Sequence, residues 1–182
     1  MTDREIMRKE VERQGLRIAH DPDTLEIVKS AFANVAAIFP DELRRYPVCD
    51  LLVYRQEDQE PGNHFRLTDG ICFYHVVNGR WLFAVAVATE ALQWGVDYLH
   101  FLLLHELAHA FVGETQYRDA GPLPHDELFT AMLDQLLQEF NRQTGSSLKN
   151  DYYDYDYPSY HGDQASEPPA MPRIALCDFR TH

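Results

Sequence analysis

The segment HELAHAFVGETQYRDAGPLPHDELF, residues 105–129, sets His105 and His109 four positions apart with Glu106 between them, and His125 follows. On a helix, positions i and i+4 share a face, so the two imidazoles stand about 6 Å apart along the axis and can reach one ion. Glu106 lies one step round from His105, where its carboxylate flanks a metal without having to ligate it and can take a proton from water that the metal has made acidic. With 9 histidines in the chain, composition alone yields an accidental His-Glu-x-x-His in roughly 3% of such sequences. The surrounding residues must therefore support the reading.

Residues 97–112, DYLHFLLLHELAHAFV, are apolar nearly all round, the pattern of a helix buried on most sides. Two imidazoles and a carboxylate on such a helix cost several kcal/mol, on the order of any unsatisfied buried polar group, unless a partner is supplied. A metal and water satisfy all three together. Zinc that performs hydrolysis takes three protein ligands and keeps one position open. Glu114 lies five residues beyond His109 and points away from the histidine face. The longer pattern with Gly and His after the second histidine fails, because Val112 and Thr115 occupy those positions.

His125 and Glu127 remain as third ligand. A helix from about residue 125 to 142 puts His125 at the head of the apolar side that continues through Leu128, Phe129, Met132, Leu136 and Phe140. Glu127 shares its face with Asp134 and Gln138. His125 is thus the expected ligand and Glu127 the runner-up. Asp97, Asp126 and Asp134 are candidates to orient a ligand imidazole through its second nitrogen. His64, His75, Tyr74 and Tyr117 are candidates to stabilise an oxyanion. Spacing selects none of them, and it leaves His100 off the face of His105.

The elements that hold these residues can be read from period and punctuation. Thr2 with Glu5 forms a capping box that starts an exposed helix over 3–14, ending near Gly15. Asp21-Pro22 starts a second helix with Leu25, Val28, Phe32, Val35, Ala36 and Phe39 at helical spacing, and Pro40 stops the run. Residues 48–55 read as a strand. Residues 70–77 and 80–88 flank Asn78-Gly79, the pair that favours a two-residue hairpin turn. A polar loop spans 56–63, and Gly113 is a natural stop for the histidine helix. The expected fold class is α+β: N-terminal helices, a small, mostly antiparallel sheet of about three strands with a hairpin, a buried active-site helix, and a following helix with the third ligand.

At 182 residues the chain fits one domain, here residues 1–145. Residues 146–182 are Tyr/Asp-rich and then Pro-rich, without apolar period, and read as a flexible acidic tail. Its five tyrosines between 152 and 160, with His161 and Asp163, raise the thought of a flap over the cleft. The net charge of −13 repels phosphate backbones and anionic membranes, so nucleic acid and membrane are unexpected partners. Cys49, Cys72 and Cys177 are odd in number and scattered, and the N-terminus is too charged for a secretory leader. A cytoplasmic location is expected.

HELAH followed at short distance by HDELF resembles the minimal zincin metallopeptidases of the SprT-like and WLM type, whose pattern is HExxH and then a downstream HxxxF. The resemblance implies a Zn2+ site of His105, His109 and His125, Glu106 as general base, Phe129 as a core anchor, and a protein or peptide substrate. It covers about residues 20–143 in layout and is specific only in those two motifs. The chain lacks the zinc ribbon and the basic surface of the DNA-linked members, whose role is not carried over. Two other readings stand beside it. One is a catalytically inactive zinc-binding interaction or regulatory module, against which Glu106 speaks, since a closed structural site takes four ligands and no base. The other is a metal-dependent amidohydrolase of a non-peptide substrate; a deformylase is unsuited because Cys72, in GICFY, lacks that site's setting.

Overall fold

The computed structural model describes residues 1–116 and 125–150. Among these residues, five α-helices and one three-stranded sheet make an α+β fold, in the order α1 (Asp3–Arg13), α2 (Pro22–Ala36), α3 (Pro40–Arg45), β1 (Val48–Tyr54), β2 (Gly70–Val77), β3 (Arg80–Ala88), α4 (Val96–Gln116) and α5 (Glu127–Thr144). Short 3-10 turns fill parts of the connections, including Gln56–Asp58 inside the loop expected to be irregular.

The capping box at α1 is present: the Thr2 hydroxyl accepts from the Glu5 N–H, and the Glu5 carboxylate accepts from the Thr2 N–H. At α2 the Asp21 carboxylate caps the Thr24 N–H, with Pro22 in the first turn. Pro40 does more than stop α2, which already ends at Ala36; its fixed φ also starts α3.

The strand order is β1-β3-β2, with β2 antiparallel and β1 parallel to β3. The sheet is therefore mixed, and the expectation of a mostly antiparallel one is corrected. Asn78, at φ 51°, and Gly79, at φ 76°, turn the chain tightly enough to make β2 and β3 partners. Turn chemistry does not place β1. From Leu82 onward every residue of β3 is buried, and a strand apolar on both faces belongs in the centre. The hairpin therefore inserts β3 between β1 and β2, where it runs in the direction of β1.

The two faces of the sheet hold two cores. Leu52, Tyr54, Ile71, Phe73, Leu82, Ala84 and Ala86 face α1 through Met7 and Val11. Val53, Cys72, Tyr74, Phe83, Val85 and Val87 face α2 and α4. Asp50, 5% exposed, ties α1 to β1 by accepting from Arg4 at 3.0 Å and Arg8 at 3.1 Å. Helix α4 lies between the sheet, α2 and α5, which is why it reads as apolar all round.

Three boundaries differ from the sequence expectation. Helix α4 runs through Gly113 to Gln116, because residues past the glycine find partners: Glu114 accepts from the Tyr46 hydroxyl at 2.7 Å, and Gln116 donates to Asp126 at 2.7 Å. Helix α5 starts at Glu127 with Asp126 as its N-cap, so His125 stands just outside the helix. Its buried face is Phe129, Leu133, Leu136, Leu137 and Phe140, while Leu128 is 40% exposed. The helix ends on Gly145 in the left-handed region. Packing continues past residue 145: Leu148 is 7% exposed and joins the α2/α4 core, and Asn141 exchanges two hydrogen bonds with its backbone at 2.8 and 2.9 Å. The flap proposed for residues 152–163 lies outside the described residues, as do Tyr117 and Cys177.

Candidate metal centre

The one group of histidine, cysteine or acidic residues among the described residues that could hold a metal is His105, His109 and His125, with one ligand atom from each within 4.8 Å of the others. Helix α4 delivers the first two by simple periodicity. His125 arrives from the segment just before α5, placed by the cap next to it. The Asp126 carboxylate accepts from the Phe129 N–H at 2.9 Å and from the Gln116 side chain at 2.7 Å, so one residue fixes the start of α5 and ties it to the end of α4.

The three rings stand in a nearly equilateral triangle, with centroids 5.1 Å apart for His105 and His109, 5.0 Å for His105 and His125, and 5.1 Å for His109 and His125. Nε2 of His125 lies 3.2 Å from Nε2 of His105. That distance suits an N–H···N hydrogen bond between two rings, and it also suits two ligands of one tetrahedral ion, whose nitrogens at 2.0–2.1 Å from zinc are about 3.3 Å apart. The third ring favours the ion, because a pairwise hydrogen bond gives no reason for a threefold arrangement. The donor set, three borderline imidazole nitrogens, suits zinc and other first-row divalent ions.

Phe129 is the hub beneath the triangle. Its ring stacks on His109 at 4.2 Å between centroids and meets His105 at 5.0 Å and His125 at 4.7 Å, edge-on or tilted. At 1% exposure it fills the space behind all three histidines, which fits its expected role as a core anchor. His105, Glu106 and His109 are fully buried, and His125 is half-buried.

Glu106 turns toward the start of β2. Its Oε1 would stand 3.0 Å from a Cβ placed on Gly70. The carboxylate thus lies between the histidine helix and the backbone of an edge strand, and no spacing rule connects residue 70 with residue 106. A glycine opening a strand, where propensity disfavours it, was the available signal.

The remaining candidates lie elsewhere. Glu127 is exposed and outside the group. His75 faces α1, its Nδ1 3.9 Å from the Glu10 carboxylate. His64 packs on Phe65 at 3.9 Å between centroids, and Tyr74 packs on Trp81 at 5.3 Å. Asp97 and Asp134 are exposed. Asp126 caps α5, so it positions His125 through the chain. His100 contacts Asn34 and Phe140; its burial lowers its pKa from the ordinary histidine value, against the pull of Asp97. No helix among the described residues is long and apolar enough to cross a membrane. A scan against protein-family models and searches of curated proteins and of solved structures find no match for this chain.

Proposed function

We propose that this chain is a zinc-dependent metallopeptidase of the minimal zincin kind, resembling the SprT-like and WLM-type enzymes. The convergence of His105, His109 and His125 carries this reading, from α4 and from the segment before α5, with ligand atoms within 4.8 Å of one another and the His105–His125 pair at 3.2 Å. When bound, zinc supplies Lewis acidity that polarises a carbonyl oxygen and lowers the pKa of a coordinated water.

The chain's own residues do the rest. The three imidazoles would hold the ion. Glu106 takes the proton of the attacking water as the new C–O bond forms, then returns a proton to the amine nitrogen as the C–N bond breaks. Phe129 holds the three rings against rotation.

The test is metal content by elemental analysis for wild type, His125→Ala and Glu127→Ala, followed by cleavage of an unfolded protein substrate by wild type and Glu106→Gln. One zinc per chain, lost with His125→Ala and kept with Glu127→Ala, together with cleavage abolished by Glu106→Gln, is the expected outcome. A chain that takes up no zinc sinks the reading. One that binds zinc but cleaves nothing is the inactive binding module instead.

A further inference from the structure

Glycine opens β2 at position 70, and backbone conformation does not explain it. Among the described residues the glycines with positive φ are Gly15, Gly62, Gly79, Gly95 and Gly145, so Gly70 adopts a backbone open to any residue. Space explains it. A Cβ there would meet Leu102 at 2.9 Å (Cδ1) and 3.1 Å (Cγ), and Glu106 Oε1 at 3.0 Å. The two Leu102 distances are shorter than the roughly 3.5–4.0 Å of comfortable carbon contact, and at 3.0 Å the Glu106 oxygen would have to give by a few tenths of an ångström.

The strand cannot retreat to make room. Gly70 pairs with Val87, and the carbonyl of Asp69 accepts from the Ala88 N–H at 2.8 Å. The Asp69 carboxylate accepts from the Tyr98 hydroxyl at 3.0 Å and from the Gln56 side chain at 3.0 Å. Tyr98 belongs to the first turn of α4, so the start of β2 is pinned to the same helix that carries Leu102 and Glu106. Side chain rather than backbone would have to move, and the movable groups are a core leucine and the carboxylate beside the metal triad.

We propose that Gly70 is a positioning residue for the reaction: its bare backbone sets the place of the Glu106 carboxylate, so that a side chain at 70 displaces the base while leaving the three histidines in place. This rests on the reading of Glu106 as general base. A misplacement of about 1 Å can cost on the order of a hundredfold in rate, and the overlap here amounts to several tenths of an ångström.

The test is a double-mutant cycle on the full chain. Gly70→Ala and Glu106→Asp are made singly and together, with Gly70→Ala/Leu102→Ala as the variant that removes the aliphatic clash if Gly70→Ala alone folds poorly. Zinc per chain, kcat, KM and the Tm of the metal-free protein are measured for each. The expected result is that Gly70→Ala keeps one zinc and a KM within about twofold while kcat falls at least tenfold, a loss within the range for misplaced groups. Relief of the Leu102 clash does not restore kcat. In the Glu106→Asp background, where the carboxylate is one methylene shorter, Gly70→Ala changes kcat by less than about twofold.

The metal-free protein gives a readout independent of activity: the Tm loss from Gly70→Ala is at least halved in the Glu106→Asp background. Equal kcat losses in both backgrounds, loss of zinc, or additive Tm losses overturn the proposal. If the wild type binds zinc but cleaves nothing, the peptidase reading falls and the Tm cycle alone decides the contact, with coupling upholding it and additivity overturning it.

Discussion

A change at Asp126 reaches His125, the proposed third ligand, without touching it. The Asp126 carboxylate caps α5 through the Phe129 N–H and accepts from Gln116 at the end of α4. Replacing an N-cap Asp with Ala costs about 1 kcal/mol, and an exposed hydrogen bond to a charged acceptor adds about 0.5–1 kcal/mol. The sum, about 1.5–2 kcal/mol, lowers the Tm of a domain this size by roughly 3–8 °C. Asp126→Asn retains an acceptor for the cap and should stay within about 1–2 °C of wild type. The assay is thermal unfolding followed by helical circular dichroism in excess chelator, which separates the fold from the metal. Zinc titration of the same variants then reads the ligand, and Asp126→Ala should bind about 10–100-fold more weakly, the range found when a group orienting a ligand is lost. Unfolding of Asp126→Ala within 1 °C of wild type would show that the cap does not hold the start of α5. Weakened stability with unchanged zinc affinity would show that His125 is placed by something other than its neighbour.

Three further outcomes follow from the packing. Phe129→Ala should lose about 3–5 kcal/mol in chemical denaturation, whereas Phe129→Leu, closer in volume, should lose less than about 2 kcal/mol; equal losses would argue against close packing behind the histidines. Asp50→Ala should cost about 2–3 kcal/mol, since it removes charged hydrogen bonds from Arg4 and Arg8 at a buried acceptor, and limited proteolysis should then release the α1 segment first. Glu10 is held below the ordinary carboxylate range chiefly by its hydrogen bond from Arg13. A carboxyl depressed on folding stabilises above its unfolded pKa of about 4.3 and loses that contribution as pH falls through the folded value. The Tm difference between wild type and Glu10→Gln should therefore be present at pH 6 and shrink below about pH 4; a pH-independent difference would exclude the ion pair as its source.

How far the sequence reaches depends on whether a feature is local. His105 and His109 are legible because one helix with a known period carries both, and the hairpin is legible because Asn78-Gly79 encodes its own turn. The position of β1 is not: nothing in VCDLLVY tells a parallel from an antiparallel partner, and that choice was made by β3, which needs cover on both edges. His125 lies between these cases. Its inward direction was inferred by extending α5 back over it, yet it precedes the N-cap, and Leu128, assigned to the same inward face, is exposed. The residue stands beside His105 and His109 through capping by Asp126 and packing of Phe129, so the three histidines meet although the helical phase that pointed to it is partly wrong. The pairing of Gly70 with Glu106 was out of reach for the same reason as β1: it exists only once sheet and helix are docked. The His105-Glu106-His109 spelling is thus local, whereas the anchor of His125 and the space beside Glu106 are properties of the assembled fold.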